Sequence, residues 1–567
     1  MLKGIGGSAG YGVGRAVIIS EGKPEYVSVE ITDTESEIKR FEDAVRVFVE
    51  KTQGMADAMR ERVGEHNAEI LEGHILMLSD PFMQDEIKGM INSGNCAEAA
   101  VDSVCDMFIT MFSQVDDELT KQRATDIGDI RVRLLKILTG TPDINISEVP
   151  AGTVLVAKDL TPSMTAGIVK ENVAGIVTEL GGKTSHSAIL ARALEIPAVL
   201  SVDNVLSMVS DGMVLAVDGC EGNCIIEPSD EEITEYQKKK EIYLEEKAGL
   251  KVFVGRETVT ADGAKVHLYG NIGKPEDAEA VVSGDGEGVG LFRTEFLFMG
   301  ADSLPSEEQQ FEAYKKAAEI MNGREVIIRT LDVGGDKDIP YLGLEKEENP
   351  FLGFRAVRYC LANEESYKVQ LRALLRASAY GDIKIMVPLV TGVEEIRKVK
   401  QLVGELKQEL DKAGIAYNKD IQVGVMMETP AASLIADLLA GEADFFSIGT
   451  NDLTQYTMAV DRGNAKVAYL YSAYHPAVLR SMKNIIEAGN KAGIMVGMCG
   501  EAAADTLLIP LLISFGLGEY SVSASSVLST RSTISKWSKA EADKLAEQAL
   551  ALSTEEEVAA LLKANVK

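Results

Sequence analysis

Cysteine is scarce in this chain: six in 567 residues, at Cys96, Cys105, Cys220, Cys224, Cys360 and Cys499, with no repeating spacing. Scattered thiols exclude a disulfide-stapled secreted scaffold and fit a reducing compartment. Cys220 and Cys224 are followed by no second ligand pair, and the five histidines are widely separated, so neither residue type builds a zinc centre. Long hydrophobic runs are missing as well. No apolar stretch approaches the roughly 20 residues that cross a bilayer, and the opening Met1-Leu2-Lys3-Gly4-Ile5-Gly6-Gly7 is too short and glycine-rich for a signal peptide; the expected location is the cytoplasm, without membrane insertion. Basic residues are the minority, 57 Lys and Arg against 88 Asp and Glu, a formal charge of −31. That deficit argues against nucleic acid and anionic membrane as partners, because both need basic patches that displace counterions. It favours basic proteins instead.

What is present is enough apolar material for several cores, and the length alone suggests about three or four domains. Residues 1–22 are glycine-rich with short apolar pieces such as Ala16-Val17-Ile18-Ile19, and read as strands and tight turns. From about residue 33, Ile38, Phe41, Val45, Phe48, Met55 and Met59 follow the three-four alternation of an amphipathic helix. The same period continues through Ile70 to Leu78, Val101 to Val115 and Ile127 to Leu138, which predicts four or so helices inserted into something else. The host resumes near residue 150 with buried-strand patterns at Thr153-Val154-Leu155-Val156-Ala157, Gly175-Ile176-Val177-Thr178 and Val214-Leu215-Ala216-Val217. The expected architecture is therefore multidomain α/β: a small discontinuous α/β domain (1–22 and 145–230), an α-helical bundle inserted in it (23–144), a charged linker helix (231–255) and a C-terminal domain (256–567). In the last, eight strand candidates beginning near residues 266, 288, 326, 383, 423, 445, 495 and 520 alternate with helical segments, the signature of a (β/α)8 barrel. The Gly284–Gly290 run fits no G-x-G-x-x-G register and is not a dinucleotide fingerprint.

The stretch Gly181-Gly182-Lys183-Thr184-Ser185-His186-Ser187-Ala188 places one histidine between a flexible glycine pair and a helix-forming run. Thr184 and Ser185 are good caps, so His186 is expected in the first turn, where unpaired backbone N–H groups cradle anions. A neutral imidazole there can act as a nucleophile, with Lys183 and Arg192 as neighbouring cations for a phosphoryl group it receives. A lone histidine at a helix start is more often a cap or a surface residue. The Gly-Gly-Lys-Thr text is not a P-loop either, because Val177 stands where that motif needs its first glycine.

Barrel chemistry sits at the C-terminal ends of the strands. Reading just past each strand gives Arg293 and Glu295, Arg329 and Asp332 with Lys337, Glu428, Asn451 and Asp452, and Cys499, with Arg355 and Arg462 in neighbouring loops. An arginine after a strand is usually in an ion pair. Jointly, however, these cations and the carboxylates of Glu428 and Asp452 describe a site for a doubly acidic, phosphorylated ligand and a divalent ion. Carboxylate oxygens suit Mg²⁺, arginines grip carboxylate and phosphate in paired hydrogen bonds, and the Cys499 thiol can deliver a proton to an enolate carbon.

Seven long motifs then stand together with the His186 stretch: Glu287-Gly-Val-Gly-Leu-Phe-Arg-Thr-Glu-Phe-Leu-Phe-Met299, Asp332-Val-Gly-Gly-Asp-Lys337, Glu348-Asn-Pro-Phe-Leu-Gly-Phe-Arg355, Glu428-Thr-Pro-Ala431, Phe446-Ser-Ile-Gly-Thr-Asn-Asp-Leu-Thr-Gln-Tyr456, Asp461-Arg462-Gly463 and Gly497-Met-Cys-Gly-Glu501. Over essentially its whole length the chain resembles the enzyme I family of the bacterial phosphoenolpyruvate-dependent sugar phosphotransferase system. The resemblance implies that His186 is phosphorylated at Nε2, with Thr165 as a hydrogen-bond partner. It implies that Arg293, Arg329, Lys337, Arg355, Asn451 and Arg462 hold phosphoenolpyruvate, that Glu428 and Asp452 bind Mg²⁺, and that Cys499 protonates enolpyruvate to pyruvate. It further implies that the helical insert docks the phosphocarrier protein HPr and that the barrel forms a homodimer. Lys183 stands where members of the family often have arginine, keeping the charge but losing the planar fork. His475 is expected to be structural, and His74 to lie on the insert's surface, where it either lines the partner groove or is inert. A phosphoenolpyruvate synthase or pyruvate phosphate dikinase shares the histidine and barrel motifs but needs a large nucleotide-binding domain, for which no segment is long enough.

Overall fold

A computed structural model describes residues 1–567 apart from 20–23, 25, 64, 114–117, 142–145, 147–148, 162–163, 165–167, 183–184, 300, 302, 335–338, 346 and 465, and without the side chains of 58, 61–63, 65–69, 118–122, 186, 189, 193 and 340. The chain divides into two units, Met1–Ala248 and Gly249–Lys567.

In the first unit, eight strands form one sheet: β1 (Leu2–Lys3), β2 (Ile5–Ser8), β3 (Tyr11–Ile19), β4 (Thr153–Ala157), β5 (Val173–Thr178), β6 (Ala198–Leu200), β7 (Val214–Asp218) and β8 (Asn223–Ile226), ordered β1-β8-β7-β3-β4-β5-β6-β2. β3 to β6 run parallel and the flanking pairs antiparallel. Period-two patterning explains why both faces are buried. Leu155, Ala157 and Ile176 pack on one side with Ala188, Leu190 and Ala191 of a helix, and Val154, Val156 and Val177 pack on the other with Val205.

The insert holds five helices among the described residues, one more than the periodicity suggests: α1 (Thr34–Val63), α2 (Glu65–Leu78), α3 (Pro81–Asn92), α4 (Ala97–Ser113) and α5 (Glu118–Thr139). The extra break has a local cause. Asp80 caps α3, its Oδ1 accepting from Phe82 N at 2.8 Å, and Pro81 takes the first helical position, where its missing N–H costs nothing. Phe41, Phe48, Ile87, Ile91, Val101, Val104, Ile130 and Leu134 form the shared core. His74 belongs to it rather than to a surface groove. Its ring is fully buried, with Nε2 3.3 Å from Asp126 Oδ1 and Nδ1 3.6 Å from Asp129 Oδ2.

Among the described residues two further helices follow the insert, α6 (His186–Ala193) and the short α7 (Val205–Met208), and then α8 (Asp230–Gly249). Although α8 is charged almost throughout, it is not a free-standing linker. Tyr236 is buried, Tyr236 and Tyr243 each meet Tyr11 edge-on at 6.2 Å, and Lys247 Nζ pairs with Glu195 at 2.5 Å.

The second unit is a closed parallel barrel of β9 (His267–Ile272), β10 (Val289–Arg293), β11 (Val326–Arg329), β12 (Ile383–Val387), β13 (Val423–Met427), β14 (Phe445–Ile448), β15 (Met495–Met498) and β16 (Glu519–Val522). All eight coincide with the strands read from the sequence to within a few residues. Leu291, Ile327, Met386, Met426, Phe445 and Cys499 cluster inside the barrel, while the alternate residues join the larger core beneath the helices.

Candidate functional site

α6 begins where the sequence implies. Ser185 is extended (φ −65, ψ 157) and its side chain accepts from Ala188 N at 3.3 Å, which makes His186 the first helical residue. Neighbouring contacts fix this start. Ser187 is buried and donates to Asp159 Oδ1 at 2.7 Å, and Ser201 donates to the Gly181 carbonyl at 2.5 Å, across the turn where Gly181 has φ +101. The helix crosses from β5 to the parallel β6, so His186 stands beyond the C-terminal end of a strand at a helix N-terminus, the usual ligand position in such sheets. The ring of His186 lies outside the described side chains, and Thr165 and Lys183 outside the described residues. Arg192 is engaged elsewhere through one of its groups: its Nη1 donates to the Gly7 carbonyl at 3.0 Å.

The upper mouth of the barrel is a cavity of about 210 Å³ lined by Arg293, Arg329, Arg355, Arg462, Asn451, Glu428, Asp452 and Cys499, among others. With Glu295 and Asp332, which also line it, these are all the barrel positions singled out from sequence except Lys337, which lies outside the described residues. Their order comes from a chain of ion pairs. Arg329 donates to Glu295 at 2.5 Å and to Asp332 at 2.9 Å; Asp332 in turn accepts from Arg355 at 2.7 Å. Arg355 also reaches Asp452 at 3.3 Å, and Asp452 accepts from Arg462 at 3.0 Å. Burial alone would weaken the Arg329 and Arg355 guanidinium charges, but the facing carboxylates outweigh it and both pKa values are raised. Arg293 has no carboxylate partner among the described residues.

Glu428 is 2% exposed. Burial, followed by the charges of Asp452 and Asp332, pushes its pKa well up, against the pull of Arg329 and Arg355. Its Oε1 accepts from Leu389 N at 2.6 Å, from a residue held at φ +56; a branched side chain in that left-handed backbone marks strain spent on aiming one N–H. Two facing carboxylates that repel are the donor set a divalent cation relieves. Among the described residues no group of three His, Cys, Asp or Glu could hold a metal ion. Cys499 is 3% exposed, and burial pushes its thiol up to about 11, the Ser447 hydroxyl pulling it partly back. At neutral pH the thiol therefore keeps its proton.

Sequence reasoning left parts of this cavity and its surroundings unassigned, among them Phe351 and Phe296 in the lining and Tyr456 behind it. Tyr456 accepts from Arg355 at 3.1 Å and donates to the Phe351 carbonyl, while the Phe351 ring sits 5.9 Å from the Arg355 guanidinium. Phe296 completes the rim. Tyr456 was within reach: Asp452 and Tyr456 are four apart on the helix Thr450–Met458 and share a face. His475 caps the helix Pro476–Ala492, its Nδ1 accepting from Ala477 N at 3.2 Å, which is the structural role expected of it.

Among the described residues no helix is long and apolar enough to cross a membrane. Family models match in succession: PEP-utilising enzyme, N-terminal (residues 3–123), PEP-utilising enzyme, mobile domain (149–222), and PEP-utilising enzyme, PEP-binding domain (247–539). The phosphoenolpyruvate-protein phosphotransferase of Bacillus subtilis is 47% identical over 567 residues, covering 100% of both chains. That of Listeria monocytogenes is 48% identical over 562 residues, 99% of this chain and 98% of its own, and that of Staphylococcus epidermidis 45% identical over 567 residues, 99% of each. Likeness of that order, unbroken through both the histidine unit and the barrel, means that the chain belongs to the phosphoenolpyruvate-protein phosphotransferases, the enzyme I family of PEP-utilising enzymes.

Proposed function

We propose that this enzyme moves the phosphoryl group of phosphoenolpyruvate onto Nε2 of His186, releasing pyruvate, and then passes it to a histidine of the carrier protein HPr, the first step of sugar uptake by the phosphotransferase system. The observation that carries this reading is the barrel cavity, where four arginines, four carboxylates, Glu428 and Asp452 among them, and a protonated thiol converge. Arg293, Arg329, Arg355, Arg462 and Asn451, joined by Lys337, hold the carboxylate and phosphate of the substrate and stabilise charge as it moves to the enolate oxygen. Glu428 and Asp452 hold Mg²⁺, which when bound neutralises phosphoryl charge. His186 attacks as the neutral imidazole, with the first-turn N–H groups, Thr165 and Lys183 supporting the phosphoryl group it receives. Cys499 gives its proton to the enolate carbon.

Nucleophile and substrate cavity belong to different units, and one histidine has to meet first phosphoenolpyruvate and then a second protein; in this reading His186 travels between them. The boundaries 1–22 with 145–230, 23–144, 231–255 and 256–567 remain the working domain division, and the contacts of α8 with Tyr11 favour a pivot at its C-terminal end. The helical insert docks HPr, and the barrel carries the homodimer contact.

The test is incubation with phosphoenolpyruvate labelled in phosphorus. The protein takes up a label that is lost in acid and kept in base, and the His186→Ala protein takes up none. Acid-stable label, or labelling of the variant, overturns the assignment.

A further inference from the structure

The chain that carries Cys499 is held by a side chain from outside the cavity lining. Ser447, Gly497 and Glu519 stand in one row across β14, β15 and β16, and the β15–β16 ladder ends one pair later, at Met498 and Tyr520. Cys499 and Ser521 lie just past that last pair. Asn271 bridges them from β9, the strand on the far side of β16. Its Nδ2 donates to the Cys499 carbonyl at 3.1 Å and to the Ser521 carbonyl at 3.2 Å, and its Oδ1 accepts from the Ser521 hydroxyl at 2.6 Å. Carbonyl oxygens only accept, so the nitrogen has to face them and the oxygen is left for the hydroxyl. The carboxamide therefore has one orientation, and Ser521, fully buried, keeps it there.

Alternation along β9 sends Leu268 and Ile272 to the outer core and Asn271 into the barrel. There it pairs in register with Leu291 of β10, a residue of the cavity lining to which Asn271 itself does not belong. The opposite side of Cys499 is held as well. Its N–H donates to the Ile448 carbonyl at 3.1 Å, and its Sγ lies 3.8 Å from the same oxygen. Gly500 is pressed against the following helix: an ideal Cβ there would lie 1.8 Å from Thr450 Oγ1 and 2.7 Å from Thr450 N. Glu501 N donates to Asn451 Oδ1 at 3.2 Å. With the N–H of Cys499 bonded to β14 and its carbonyl to Asn271, both peptide planes beside its Cα are fixed, and together they set the direction of its Cα–Cβ bond.

We propose that Asn271 positions the Cys499 thiol for proton delivery to the enolate carbon, with Ser521 orienting its carboxamide. The inference rests on the proposed role of Cys499 as proton donor. In that step the S–H bond breaks as a C–H bond forms at the methylene carbon, and the enolate C–O becomes the pyruvate carbonyl. The thiolate left behind takes a proton from water, and nothing is oxidised or reduced. Proton transfer is steep in distance: a donor displaced by about 1 Å loses on the order of a hundredfold in rate. Asn271 touches neither substrate nor reacting atoms, so it is a positioning residue, and the arginines that hold the ligand do not depend on it.

Pyruvate formed in the first turnover of the full-length protein, with Mg²⁺ and a range of phosphoenolpyruvate concentrations, separates this role from a structural one. Asn271→Leu keeps the shape of the side chain and removes its donors. The limiting rate should fall at least about tenfold while the half-saturating concentration stays within about twofold, the split expected when binding is intact and the reacting geometry is not. In a Cys499→Ala background the same substitution should cost nothing further, because its effect passes through the thiol. An unchanged limiting rate in Asn271→Leu, a rise in half-saturation that matches the fall in rate, or a full-sized further fall in the absence of the thiol overturns the proposal. If Asn271→Leu does not fold, Ser521→Ala decides by the same comparisons, with an expected fall of about threefold. Cys499→Ala by itself should slow pyruvate formation more than either variant. The parent's rate there would refute the assignment of Cys499, and this inference with it, whatever Asn271→Leu shows.

Discussion

At the scale of single residues, this protein's chemistry is set by who faces whom inside the barrel. Asp332 accepts from both Arg329 and Arg355 and is 2% exposed; removing its charge leaves two buried guanidiniums short of a counterion. Asp332→Ala should lower barrel stability by about 3–5 kcal/mol, read from the urea transition, and weaken the hold on phosphoenolpyruvate. Gly497→Ala tests the packing beside Glu519. The new methyl would press on Oε2, Cδ (2.9 Å) and Cβ (3.3 Å) of a side chain with nowhere to go, costing about 1–3 kcal/mol. Pairing it with Glu519→Ala should recover part of that loss in the same titration. Arg293, Arg329, Glu428, Asp452 and Cys499 were legible because each follows a strand closely. The contact of Tyr456 with Phe351 and that of Arg192 with Gly7 were not, since they join residues more than a hundred positions apart.

At the scale of elements, caps and period decide where helices begin. His475 accepts at the N-terminus of the helix Pro476–Ala492, so His475→Ala should cost about 1 kcal/mol of barrel stability while leaving acid-labile labelling intact. The helix Lys539–Ala551 opens with a reciprocal pair, Ser538 and Glu541. Lys567, then the Ser538 hydroxyl and N–H, hold the Glu541 carboxyl down at about 2, below its ordinary 4.5. A depressed carboxylate stabilises fully above its unfolded pKa and loses that contribution as pH falls through the folded one. The difference in melting temperature between the parent and Glu541→Gln should therefore be constant above about pH 5 and vanish toward pH 2. A flat difference across that range would show the contact to be idle. Strand positions in the barrel were readable because short apolar runs bounded by turns repeat eight times. The Asp80-Pro81 break in the insert was readable too, but only to a reader weighing caps above period.

At the scale of the whole molecule, the proposed reaction asks one histidine, in the first unit, to meet both a small ligand in the barrel of the second and a separate carrier protein, and the proposal answers this with movement. Small-angle scattering with phosphoenolpyruvate and Mg²⁺ should show compaction relative to the protein alone; an unchanged profile would remove the travelling histidine. In the proposed relay the acidic insert meets a basic carrier, so their association should weaken as salt rises, and salt-independent affinity would contradict that docking surface.

The sequence by itself determined the number of barrel strands, the helical insert, and the residues placed at strand ends, because strand and helix periods are local and a parallel barrel puts those ends at one mouth. Tertiary structure alone decided which charges pair, that His74 is sealed in a core, that α8 adheres to Tyr11, and that Ser447, Gly497 and Glu519 share a row. Those outcomes depend on register and closure between strands far apart in the chain, and no short window of residues contains that information.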